Sequence, residues 1–258
     1  MKKIIQDFEV VENISLNNAH FILKLNSPSD LPDIMPGQFA EVLVPDLRTT
    51  FLRRPFSIHD ADHKKKTISF FIKCVGEGTA KLRTLKKDDI LNMMLPLGNS
   101  FGIDAKGKSL LVGGGCGIAP LFYLAKCLHK GKNDLDILMG AGSKNDIALA
   151  DELKNFGNLY ITTEDGTEGE KGLVTDHSIF QELSSAYSKI FCCGPESMMK
   201  KVASLAKKNS VDCEVSLENT MACGIGACLC CVTETVDGNK CVCTDGPVFN
   251  IKSLKWQI

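Results

Sequence analysis

An antiparallel β-barrel, a parallel α/β sheet and a small cysteine-rich segment, in that order, form the architecture that the sequence predicts. Three observations predict it. The first hundred residues carry short strand patterns punctuated by turns. After Pro96-Leu97-Gly98-Asn99, strand and helix patterns alternate. Seven of the twelve cysteines then fall between Cys213 and Cys243, whereas the first seventy residues contain none.

Size and charge bound the reading. A chain of 258 residues is long enough for two compact domains and an appendage. A net charge of −1 gives no electrostatic reason to expect nucleic acid or an anionic membrane as partner. No apolar run reaches the length of a bilayer span. Gln6, Asp7 and Glu9 interrupt Met1-Lys2-Lys3-Ile4-Ile5 before a signal-peptide core can form, so the start reads as a first strand. Without a secretion signal, the cysteines read as metal ligands of a cytoplasmic protein rather than as a disulfide framework.

In the barrel region the expected strands are Phe8–Glu12, His20–Asn26, Gln38–Val44, Phe56–His59, Thr67–Lys73 and Ile90–Leu95. A short helix is expected over Thr79–Lys86. Turn residues at Ser27-Pro28, Met35-Pro36-Gly37 and Asp60 to Lys66 separate them, a spacing that suits a small antiparallel barrel. The second region alternates strands Ser109–Val112, Leu135–Met139, Asn158–Thr162 and Lys189–Cys192 with helices Ile118–His129, Ile147–Phe156, Thr175–Ala186 and Glu196–Lys208. Such alternation implies a parallel sheet covered on both faces. The last fifty residues show a hairpin signal at Asp237-Gly238 and too little apolar material for a core of their own, so a metal is expected to organise them.

Within that segment, Cys223-Gly224-Ile225-Gly226-Ala227-Cys228-Leu229-Cys230-Cys231 contains C-x4-C-x2-C, the plant-type [2Fe–2S] spacing, which a distant fourth cysteine completes. Glycines at 224 and 226 let the chain wrap closely around sulfides that want N–H donors. Cys243 is the fourth ligand expected, with Cys241 its competitor, and Cys230 competes with Cys231. A structural zinc site is the plain alternative, but zinc sites usually present two short knuckles rather than three ligands in one loop. Cys74, Cys116, Cys127, Cys192 and Cys213 read as small buried apolar residues.

Other motifs point to nucleotides. Leu110-Leu111-Val112-Gly113-Gly114-Gly115-Cys116-Gly117-Ile118-Ala119-Pro120 is a strand, a glycine turn and a helix start, which together offer N–H groups and a helix dipole to a pyrophosphate. Arg54-Pro55-Phe56-Ser57 offers a guanidinium, an aromatic face and a hydroxyl at a strand entry. Gly76-Glu77-Gly78-Thr79 opens a helix as a second phosphate site. Cys193-Gly194-Pro195-Glu196 follows a buried strand, where a loop approaches a bound nicotinamide. Singly, each has an ordinary explanation as a surface charge, a helix entry or an unliganded turn.

In this order the motifs resemble those of the ferredoxin reductase superfamily: Arg54 to Ser57 its R-x-[YFIL]-S flavin motif, Gly113 to Pro120 its G-G-G-x-G-x-x-P loop, and Cys193 to Pro195 its C-G-P motif. Asn219 to Cys228, Cys243-Thr244-Asp245-Gly246-Pro247-Val248-Phe249 and Gly172-Leu173-Val174-Thr175-Asp176 are similar to stretches of the electron-transfer subunits of B-type dihydroorotate dehydrogenases. The resemblance implies an FAD-binding barrel over 1–100, an NAD-binding domain over 101–210 and a [2Fe–2S] domain over 211–258. It assigns FAD to Arg54, Pro55, Phe56, Ser57, Phe71, Ile72, Lys73, Gly78 and Thr79. NAD goes to Gly113, Gly114, Gly115, Gly117, Cys193, Gly194 and Pro195, and the cluster to Cys223, Cys228, Cys231 and Cys243.

The resemblance also implies a heterotetramer with an FMN-containing catalytic subunit in pyrimidine biosynthesis, with electrons passing from that FMN through the cluster and FAD to NAD⁺. No residue of this chain recognisably binds dihydroorotate. Two departures stand out: Cys230 where the family usually has glycine, and a short stretch between Cys231 and Cys243. Phe56 replaces a tyrosine, which excludes a flavin contact through a hydroxyl there. Lys144 is the basic residue offered to a 2′-phosphate, and the resemblance favours NAD over NADP. The small subunit of an NADH-dependent ferredoxin:NADP⁺ oxidoreductase is the alternative within this chemistry. That family typically has an aspartate among its cluster ligands, against which Cys223 speaks. A zinc-stabilised, non-enzymatic binding module is the alternative outside it.

Overall fold

The computed structural model describes residues 2–104 and 106–258. Seven strands form the first sheet: β1 (Ile4–Ser15), β2 (His20–Asn26), β3 (Phe39–Val42), β4 (Arg54–Ser57), β5 (Asp60–Asp62), β6 (Thr67–Lys73) and β7 (Ile90–Leu97). Their order is β4-β3-β7-β1-β2-β6-β5, and every pairing is antiparallel. The edge strands β4 and β5 are separated in the chain by Ile58 and His59 alone, so one bent segment joins both edges and the sheet curls on itself. Helix α1 (Glu77–Arg83) lies between β6 and β7. Alternation on the strands sends Phe8, Val10, Phe21, Leu23 and Phe70 into the barrel, each fully buried.

The second sheet begins with β8 (Ser109–Gly114), α2 (Ile118–Lys130) and β9 (Leu135–Ala141). It continues through α3 (Ala150–Leu153), β10 (Asn158–Thr163), β11 (Glu170–Lys171), α4 (Leu183–Ala186), β12 (Lys189–Cys193), α5 (Glu196–Lys208) and β13 (Asp212–Ser216). All six residues of β8 are buried, as befits a parallel strand covered on both faces. Leu110 and Val112 pack with α5 on one side, and Leu111 packs with α2 on the other.

Two expected helices shorten. Ile147–Phe156 is helical only over α3, because Leu149 adopts a left-handed conformation (φ +68°) that an α-helix cannot continue. Thr175–Ala186 is divided at His177 (ψ +140°), which leaves short 3₁₀ turns and α4.

The larger correction concerns the limit at 210/211. Strand β13 pairs in parallel with β12, and β16 (Val248–Asn250) adds antiparallel to β13, giving the order β11-β10-β9-β8-β12-β13-β16. The segment from 211 therefore supplies two strands to the central sheet. The alternation of Val211, Cys213 and Val215, all buried, is the period-2 signal behind β13. Between β13 and β16 stand the cysteine loop, the hairpin β14 (Val232–Thr235) and β15 (Gly238–Cys241), and α6 (Val242–Asp245).

Helix α2 holds the barrel to the sheet. Tyr123 donates to the Ile34 carbonyl at 3.2 Å, Lys126 pairs with Asp60 at 2.6 Å, and the His59 ring lies 4.2 Å from that of Phe122. No helix among the described residues is long and apolar enough to cross a membrane.

Candidate functional site

Three candidate sites are built from these elements. The first joins β4 to α1. Thr79 Oγ1 accepts from the N–H groups of Val75 and Gly76 and donates to the Gly76 carbonyl, which folds the turn that opens α1. A Cβ at Gly78 would stand 3.8 Å from Arg54 Nε, so the guanidinium of β4 meets the start of α1. The two motifs expected to bind phosphate thus meet at one corner. Phe56, two residues along the same strand, reaches the barrel core beside Phe70. The other expected flavin residues separate. Ile72 is buried in the barrel core, and Phe71 stacks on His20 at 5.2 Å near α2. Neither side chain is free for a ligand, whereas the exposed Lys73 lines a cleft in the neighbouring sheet.

That cleft, of about 680 Å³, lies at the carboxyl ends of β8 and β9. Gly114, Gly115 and Gly117 line it together with Gly194 and Pro195, so the structure unites the two motifs expected to face a nicotinamide dinucleotide. Side chains are excluded where they meet: a Cβ at Gly117 would lie 2.0 Å from the Cys193 carbonyl oxygen. Gly115 holds a positive φ of +54° and faces open space. Gly113 packs against Ile118 and does not line the cleft. Cys193 is buried beneath it, with Sγ 4.0 Å from Glu218 Oε1.

Glu218 went unnoticed in the sequence, since a single glutamate ahead of a cysteine loop carries no motif. Burial alone pushes its carboxyl above the usual carboxylate range. Lys201, Met198 and Glu164 also line the cleft without any local signal. Lys144 does not line it.

The third site is the cysteine loop. The side chain of Cys223 neighbours that of Cys228, and the side chain of Cys231 neighbours that of Cys243. N–H groups point at the sulfurs: Gly226 at Cys243 (3.2 Å), Cys243 at Cys231 (3.4 Å) and Ile225 at Cys223 (3.5 Å). Burial pushes the Cys223 thiol up, but donors from Ile225, Cys228 and Ala227 outweigh it and bring the group down to about 6. Burial, reinforced by the Cys231 thiol, pushes Cys243 up to about 12. Among the described residues, no three His, Cys, Asp or Glu side chains converge on one metal ion. Two thiol pairs with N–H groups aimed at the sulfurs suit two irons with two thiolates each, whereas a zinc site needs a single tetrahedron. Cys230 is exposed, and Cys241 is half-buried in contact with Cys231.

The loop packs on the barrel. A Cβ at Gly224 would stand 2.7 Å from Glu41 Cγ and 3.1 Å from Leu97 Cδ1. Glu41 sits on β3 and is the register partner of Pro55 on β4. Only one inter-strand spacing, about 4.8 Å, separates the strand beneath the cysteines from the strand of Arg54 to Ser57. Glu41 is fully buried, neither carboxylate oxygen has a hydrogen-bond partner, and burial raises its pKa to about 7.

The chain matches three family models: the oxidoreductase FAD-binding domain over residues 7–101, the oxidoreductase NAD-binding domain over 111–204, and the iron–sulfur cluster binding domain of dihydroorotate dehydrogenase B over 218–255. It is 41% identical over 218 residues to the dihydroorotate dehydrogenase B (NAD(+)) electron transfer subunit of Caldanaerobacter subterraneus subsp. tengcongensis, covering 83% of this chain and 84% of the relative. To the protein of that name from Clostridium perfringens it is 38% identical over 250 residues, covering 96% and 94%. Among solved structures, a chain of an NADH-dependent reduced ferredoxin-NADP oxidoreductase superposes with a TM-score of 0.87 at 30% identity, covering 96% of this chain and 90% of that one. A ferredoxin reductase of carbazole 1,9a-dioxygenase shares the fold at a TM-score of 0.68 and 18% identity, covering 81% and 66%.

Proposed function

Because this chain belongs to the family of dihydroorotate dehydrogenase B (NAD(+)) electron transfer subunits, we propose that it holds FAD, a [2Fe–2S] cluster and NAD(H) and works with a separate FMN-bearing subunit that oxidises dihydroorotate. The assembly we infer is a heterotetramer. The observation that carries the reading is the adjacency of the three sites: the cysteine loop rests on β3, β3 pairs with β4, and the glycine cleft opens beside Lys73 at the end of β6. When bound, such groups supply conversion between the electron pairs of a nicotinamide and the single electrons of an iron–sulfur centre.

The residues of this chain bind and orient. Arg54 and the N–H groups opening α1 hold the flavin phosphates, while Pro55 to Ser57 edge the ring. Cys223, Cys228, Cys231 and Cys243 ligate the cluster, and Gly226 and Ile225 donate to its sulfurs. Gly114 to Gly117 cradle the dinucleotide pyrophosphate. Gly194 and Pro195 close over the nicotinamide end, with Cys193 buried below and Glu218 in the cleft wall.

The test is anaerobic purification followed by a visible spectrum and iron and acid-labile sulfide analysis. Flavin bands with about two irons and two sulfides per chain, and bleaching by NADH, are expected. Replacing any of the four ligand cysteines by serine should abolish the cluster while keeping the flavin. Flavin without iron would leave a plain NADH–flavin reductase, and a colourless zinc protein would overturn the reading. Co-purification with the FMN subunit, and the mass of the complex, test the assembly.

A further inference from the structure

We propose that Glu164 is the residue that selects NAD(H) against NADP(H), an inference that rests on the glycine cleft being the dinucleotide site. The two dinucleotides differ only at the adenosine ribose, where one carries a 2′-hydroxyl and the other a 2′-phosphate. In parallel sheets of this kind, the ribose lies beyond the strand that neighbours the one leading into the glycine turn. Here that strand is β9, which runs into Gly140-Ala141-Gly142 at the cleft wall.

β9 supplies no carboxylate to the ribose. The nearest acid after it, Asp146, turns back on Ser143, accepting from its N–H at 3.1 Å and its hydroxyl at 2.8 Å. The free carboxylate comes from the next strand. Glu164 directly follows β10, its N–H donates to the Ala141 carbonyl at 3.1 Å, and it lines the cleft beside residues 140–142. No described residue gives its exposed carboxylate a hydrogen bond or an ion pair. The neighbouring Asp165 is already committed, accepting from Thr167 N–H at 2.9 Å and Thr167 Oγ1 at 2.6 Å.

The cations that line the cleft stand elsewhere. Lys144 lies outside the cleft lining. Lys201 lines the cleft from α5, which follows β12 on the opposite side of β8, and Lys73 comes from the barrel. A 2′-hydroxyl at the β9–β10 end therefore meets a hydrogen-bond acceptor, and a 2′-phosphate meets a like charge with no cation in the cleft lining at that end. Discrimination of this kind joins an attractive contact for one ligand to a repulsive one for the other.

The experiment measures reduction of the flavin in the purified full chain by NADH and by NADPH, across a concentration series, for wild type, Glu164→Gln and Glu164→Lys. Wild type is expected to favour NADH by at least about a hundredfold in apparent affinity. Glu164→Gln should cut that ratio about tenfold, mainly by admitting NADPH. Glu164→Lys should cut it further and bring NADPH to parity or better. The flavin spectrum of each variant confirms folding. Ratios within about twofold of wild type in both variants would overturn the assignment. A wild-type flavin that NADH does not reduce would instead overturn the dinucleotide reading, and Glu164 with it.

Discussion

At the scale of single residues, close approach decides what each position accepts. Gly117 is the clearest case: an added Cβ would fall 2.0 Å from the Cys193 carbonyl oxygen, a backbone atom that cannot swing away. Gly117→Ala is expected to destabilise the protein by about 2–3 kcal/mol and to lower NADH-driven flavin reduction at least about tenfold. A thermal melt and a single-turnover measurement check the two effects. Gly115→Ala meets no atom within 4 Å, so only the strain of its positive φ opposes it, and the loss should be smaller.

Our proposal of Cys243 rather than Cys241 as fourth ligand also belongs to this scale. Cys243 is buried and accepts an N–H from the cysteine loop itself, whereas Cys241 is half-buried and its own N–H is bound to Asp245. Cys243→Ser should lose iron and Cys241→Ser should keep it, read by iron content and the visible spectrum. The sequence puts Cys243 first with Cys241 as its competitor, but spacing by itself does not say which sulfur the loop closes upon.

Elements are joined mainly by α2, and the joint contains a titratable group. His59 sits between the barrel and α2, with Nδ1 3.3 Å from the Ala119 carbonyl, and burial lowers its pKa to about 4. Below pH 6.5 the unfolded chain takes up a proton there that the folded protein refuses, so stability falls as the pH drops from about 6.5 towards 4 and is unaffected above. The loss amounts to about 3 kcal/mol at most. Denaturant titrations at pH 7.5 and 4.5 should show wild type losing about 2 kcal/mol more than His59→Gln over that interval. Equal losses would mean that His59 is protonated without cost in the folded state.

Most elements were legible. Helix Glu196–Lys208 and strands His20–Asn26 and Thr67–Lys73 match their expected limits. The failures, Ile147–Phe156 and Thr175–Ala186, are segments whose apolar positions pack against the sheet through turns rather than along one helix face. A moderate helical pattern cannot distinguish the two.

For the molecule as a whole, the C-terminal segment has two natures. β13 and β16 belong to the central sheet, while the residues between them carry the cysteine loop and the β14–β15 hairpin outside it. Stripping the metal should raise hydrogen exchange across residues 218–247 and leave protection in β8, β9 and β12 nearly unchanged, as mass spectrometry of peptides would show. Exchange rising throughout both sheets would mean that the cluster sets global stability. The order barrel, glycine turn, C-G-P loop and C-x4-C-x2-C was readable directly from the chain, because close backbone approach and thiolate ligation each demand particular residue types at short spacing. What no local pattern contains is the convergence of distant segments: Arg54 with the start of α1, Glu218 beside Cys193, Glu164 beside β9, and the cysteine loop on β3. Those meetings come from strand order and from the burial of faces that neighbouring residues cannot see, so only the tertiary structure decides them.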